Sequence, residues 1–150
     1  MFSPQEFVQT QYQESTATVR IPVEAKDYAA QISKVEAREV TIGKGERVGQ
    51  KAIVLDVIYN IDDAEQKTLT GRDPLAIRQS IFLDTTERGG LDFGKGKNVR
   101  LGRLREAAGQ NAEGQAWSPG MLSGVMVRVQ VGQRIDGEDI YEDIKKVTGI

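Results

Sequence analysis

Four valines at alternate positions, Val125, Val127, Val129 and Val131, are separated by Met126, Arg128 and Gln130. In extended chain, successive side chains point to opposite faces, so this stretch buries its valines only as a strand of a sheet with one wet face. The strand is assigned to residues 121–133. Asp136-Gly137 behind it is a hairpin signal, and residues 139–148 supply the returning strand. The same alternation occurs at 52–59, where Ile53, Leu55, Val57 and Tyr59 share a face. It recurs at 76–83, where Ile77, Ile81 and Leu83 oppose Arg78, Ser80 and Phe82. Residues 27–42 read as a longer strand. Its alternation Tyr28, Ala30, Ile32 shifts phase to Val35 and Ala37, then again to Val40 and Ile42. Such shifts predict bulges or a sharp bend. Gly43-Lys44-Gly45-Glu46 reads as a turn, and residues 60–75, acidic and holding Gly71 and Pro74, as a loop.

One segment changes period. Leu101, Leu104 and Ala108 fall at i, i+3 and i+7, which predicts a helix over 97–108 with Gly109 as its C-terminal cap residue. Residues 110–120 form a loop closed by Ser118-Pro119-Gly120. The order is then β-β-β-α-β-β, which is that of the OB-fold. A bent first strand suits it, because that strand must serve both sheets. The expectation is a mainly β chain: a five-stranded OB-fold-like barrel with one helix between strands 3 and 4. Residues 1–26 are set apart as an N-terminal arm and 27–150 as the OB-fold-like domain, one unit being ordinary for 150 residues. Phe2, Phe7 and Tyr12 leave three readings of the arm: mobile, docked by its aromatics, or engaged in binding.

Two absences narrow the chemistry. The chain has no cysteine and no histidine, which removes disulfides, His or Cys zinc sites and Ser-His or Cys-His nucleophiles. Asp62, Asp63 and Glu65 lack the spacing of a calcium loop. Asp136, Glu138 and Asp139 flank a turn without further ligands. No enzyme, metal or cofactor is expected. No apolar run is long enough to span a bilayer and the first residues do not resemble a signal peptide, so a cytoplasmic protein with no membrane partner is expected.

Net charge is −2, yet residues 88–105 hold Arg88, Lys95, Lys97, Arg100, Arg103 and Arg105 against Asp92 alone. Binding a single strand without sequence preference needs cations that track phosphates and flat side chains that stack on bases. Arg78 and Phe82 share a strand face and suit that pairing; the other reading makes Phe82 core and Arg78 a solvated rim charge. Lys95, Lys97, Arg100 and Arg103 line the helix or simply solvate it. Gly94-Lys95-Gly96-Lys97 lacks P-loop spacing but is placed to cradle a phosphate. Trp117 and Tyr141 are stacking candidates, or plugs at the core edge. Lys34 and Arg38 share parity on the first strand, Lys44 and Arg47 decorate a glycine loop, and Arg128 projects opposite the valines.

Several segments together resemble phage-encoded single-stranded-DNA-binding proteins of OB-fold type. They are the opening of the first strand in residues 27–42, Leu104-Arg105-Glu106-Ala107-Ala108-Gly109, Leu122-Ser123-Gly124 before the valine strand, and Gly137 to Val147. The resemblance spans roughly 27–147. It implies a protein that coats single-stranded DNA in phage replication or recombination, in the host cytoplasm, beside replication or recombination proteins, with a homo-oligomer allowed. The acidic C-terminal tail of some such proteins has no counterpart in Val147-Thr148-Gly149-Ile150. The alternative reading is a phage structural or assembly module that uses its β-barrel for protein contacts.

Overall fold

The computed structural model describes residues 1–150. Five strands make one antiparallel sheet: β1 (Asp27–Thr41), β2 (Lys51–Ile61), β3 (Ala76–Leu83), β4 (Met126–Asp136) and β5 (Asp139–Thr148), in the order β3-β2-β1-β4-β5. Helices α1 (Pro4–Gln9), α2 (Ala64–Thr70) and α3 (Val99–Ala107) complete the chain, with a 3-10 turn at Pro119–Leu122.

β1 holds the two halves together. Its first residues pair with β4, Tyr28 opposite Val129 and Ala30 opposite Val127, and it pairs with β2 from Ala30 to Thr41. The register slips between Ile32 and Lys34, where Ser33 is the extra residue and its Oγ–H donates to the Ile58 carbonyl at 3.2 Å. This is the first phase shift of the sequence, and it keeps Ile32 and then Val35 facing inward. The second shift is not a bulge: pairing runs unbroken from Val35–Val57 to Thr41–Lys51. Val40 simply turns to the other face, opposite Ala52.

The inner face is filled by Tyr28, Ala30 and Ile32, by Leu55, Val57 and Tyr59, by Ile77 and Ile81, and by Val127, Val129 and Val131. Leu101 and Leu104 of α3 and Leu122 of the 3-10 turn close it. Helix α3 starts at Val99 rather than 97, because Asn98 adopts a left-handed conformation (φ 53°). Asn98 is cross-linked to the strand end: its N–H donates to Asp84 Oδ2 at 2.9 Å and its Oδ1 accepts from Asp84 N–H at 2.8 Å. The valine strand begins at Met126, not 121, since the 3-10 turn takes up the preceding residues. The expected loop at 60–75 contains α2. Asp63 caps its start by accepting from Gln66 N–H at 2.9 Å, and Gly71 ends it at φ 70°.

The expected OB-fold barrel does not form. The sheet is open: β3 bonds only to β2, and β5 only to β4. Ladder bonding requires strands about 4.8 Å apart, whereas a cleft of about 590 Å³ separates these two edges. Both of its walls carry cations, Arg78 on β3 and Lys145 on β5. The β5 wall also holds Glu142 and Asp143, and polar groups on both walls favour a wet gap over a closed seam. The arm is tied down only at its end, where Val23 is buried in the core. No residue of α1 is buried, and Phe2, Phe7 and Tyr12 are exposed. No helix is long and apolar enough to cross a membrane.

Candidate nucleic-acid interface

The outer face of β1, β2 and β3 is built as three rungs. Lys34, Ile58 and Arg78 lie side by side; next come Glu36, Asp56 and Ser80; then Arg38, Val54 and Phe82. Pairing without slippage puts all nine side chains on one face. Four of the sequence candidates, Lys34, Arg38, Arg78 and Phe82, therefore meet on a single surface. Phe82 is 62% exposed, so it is not a core residue. Its ring lies open on an edge strand, beside the buried Val54.

Asp56 organises the middle rung. It is only 4% exposed. Arg38 Nε–H donates to its Oδ2 at 2.7 Å and Ser80 Oγ–H donates to its Oδ1 at 2.6 Å. Burial alone would raise this carboxyl. The two hydrogen bonds, with the charges of Arg38 and Arg78, outweigh that and hold it below the usual carboxylate range. Arg38 is thus tied to the face through Asp56 while staying half exposed. Lys34 pairs with Glu36 at 2.9 Å, while Arg78 has no carboxylate partner within ion-pair distance.

Arg78 also opens onto the β3–β5 cleft. There Arg100 and Arg103 reach in from α3, Lys145 and Lys146 from β5, Arg134 from the β4–β5 hairpin and Arg20 from the arm. Tyr141 lines the same cleft with Arg20 and Arg134 over its ring, at 5.0 and 5.1 Å from the centroid. The carboxylates in the cleft wall are largely spoken for. Glu142 accepts from Arg20 at 2.6 Å, from Val23 N–H at 3.0 Å and from Arg72. Asp143 faces Arg134 at 3.1 Å and Lys145 at 3.5 Å.

Other candidates stand apart from this face. Lys44 and Arg47 are exposed on the β1–β2 turn, Arg47 donating to Gln50 Oε1 at 3.3 Å. Arg128 lies opposite Ala29, across the Ser33 bulge from Lys34 and Arg38. Trp117 is half-buried beyond α3; its indole N–H donates to Gln110 Oε1 at 2.9 Å and the Arg105 guanidinium lies 4.2 Å from its ring centroid. Lys95 and Lys97 are exposed, and the turn they occupy spends two of its own amides. Gly94 N–H donates to Asp92 Oδ1 at 2.8 Å and Lys97 N–H to the Gly94 carbonyl at 3.1 Å. Two of the four amides of the expected phosphate cradle are thus spent within the turn.

Sequence reasoning passes over Arg20, Arg134, Lys145 and Lys146, and the two buried carboxylates Asp56 and Glu142. Asp56 is visible as an acid in an otherwise apolar strand. The cleft cations carry no local signal, because strands far apart in sequence bring them together. No protein-family model and no curated protein matches the chain.

Proposed function

We propose that the protein binds single-stranded DNA without strong sequence preference. The observation that carries this reading is the exposed ring of Phe82 on the same sheet face as Lys34, Arg38 and Arg78. A flat ring offers a stacking partner to any base, and the neighbouring cations neutralise the phosphates between bases. Paired bases offer no free faces, so duplex DNA engages the cations alone. Coating of DNA strands exposed during replication or recombination is the role in keeping with these properties and with the resemblance of the sequence. A protein-contact module is the second reading, favoured by the exposed Phe2, Phe7 and Tyr12 of the arm.

Substitution at Phe82 tests the stacking surface. Phe82→Ala is expected to weaken binding of oligo-dT by about 1–3 kcal/mol, measured by fluorescence anisotropy, and to leave unfolding within about 0.5 kcal/mol of wild type, as suits an exposed site. Unchanged affinity in a folded variant would take bases off this face.

A further inference from the structure

The β3–β5 cleft has properties the sheet face lacks. It runs between two strand edges, with α3 beside it. Its two connected parts measure about 590 and 720 Å³ and share Gln79, Arg100, Ile144 and Lys145 in their walls. Seven cations line it against three carboxylates, on a chain whose net charge is −2. Of those carboxylates, Glu142 and Asp143 are already bonded to arginine or lysine. Arg78, Arg100, Arg103 and Lys146 have no carboxylate within ion-pair distance. Unpaired cations around a groove focus a positive field into it.

The cleft is poor in aromatic surface. Tyr141 is its one ring, and two guanidiniums lie over it. Its chemistry suits a polyanion whose bases point elsewhere.

We infer that the β3–β5 cleft is a phosphate channel that takes the sugar–phosphate backbone of a nucleic acid strand, with Arg100, Arg103, Lys145 and Lys146 as its donors. Arg78, which belongs to both surfaces, passes the strand from this channel to the stacking face at Phe82. The backbone and the bases are then held on separate surfaces. The channel rests on the single-strand reading for its ligand, but the two fail in different ways.

The probe is an abasic oligomer, a deoxyribose–phosphate chain of about 20 units, compared with oligo-dT of equal length. The proteins are wild type, the double variant Lys145→Glu/Lys146→Glu, Phe82→Ala, and Lys67→Glu as a charge change remote from the cleft. The abasic chain is expected to bind at low salt. The double variant is expected to weaken both probes at least about tenfold. Phe82→Ala is expected to weaken oligo-dT alone, and Lys67→Glu neither probe. Abasic binding that survives the double variant, or no abasic binding while oligo-dT binds, overturns the channel and leaves the single-strand reading standing. Equal binding of both probes, insensitive to Phe82→Ala yet lost in the double variant, supports the channel and removes the stacking reading. If the double variant does not fold, acetylation of wild-type lysines decides: Lys145 and Lys146 are expected to be protected by the abasic chain, and unprotected lysines overturn the channel.

Discussion

Burying Glu142 would by itself raise its carboxyl pKa, yet Arg20, the Val23 N–H and Arg72 converge on it and hold it below the usual range. A carboxylate whose folded pKa is depressed stabilises the fold fully above its unfolded value of about 4.3, and that contribution is lost as pH falls through the lower folded value. Glu142→Gln is therefore expected to lower stability at pH 7 by about 1–3 kcal/mol. The loss is modest because the arginine side chains are 31% and 28% exposed and can regain water. Urea midpoints of variant and wild type should draw together as pH falls below about 4; a gap undiminished by acid would contradict the role given to the charge. In the sequence Glu142 is legible only as one acid among several from Asp136 to Asp143. Its partners lie 122, 119 and 70 residues away. The same holds for Asp56, whose partners Arg38 and Ser80 are 18 and 24 residues distant. Phe82 stays undecided between core and groove in the sequence, since strand parity fixes a face but not what covers it.

Among the elements, those with a strong period are readable and those held by single side chains are not. β3 and β5 have the bounds read from the sequence, though β5 breaks its alternation at Lys145, the extra residue between Ile144 and Lys146. α2 falls where the sequence predicts a loop: it is seven residues long, too short for an apolar stripe, and its signals are the Asp63 cap and Gly71. Asp63→Ala is expected to cost about 0.5–2 kcal/mol in urea unfolding, in the range of lost helix caps. α3 is legible through Leu101 and Leu104, which are buried. It acts as both plug and platform. Leu104→Ala is expected to cost about 2–5 kcal/mol, as deletion of a buried leucine does. Arg100→Ala with Arg103→Ala should leave the fold intact and reduce the salt slope of single-strand binding by about 0.7 for each phosphate no longer neutralised. An unchanged slope would place α3 off the path of the strand.

The molecule as a whole departs from its sequence reading at one seam. The order of strands along the chain, a bulge in β1 and the helix between β3 and β4 are all present in the spacing of apolar residues. Barrel closure is not, because whether two edges bond depends on the side chains that face each other across them. Here those side chains are charged, Glu142 and Asp143 among the cations, and the edges form no ladder bonds. The open seam places Arg78, Arg100 and Lys145 around one cleft beside the Phe82 face, and single-strand binding as proposed depends on that juxtaposition rather than on a barrel. It is tested most directly by titrating the protein with an oligo-dT of about 30 nucleotides and with a duplex of equal length, at about 50 and 200 mM salt. The expected result is tighter binding of the single strand at both concentrations, with a steep loss of affinity as salt rises. Equal or tighter binding of the duplex, or no binding of oligo-dT at the lower salt, would contradict it.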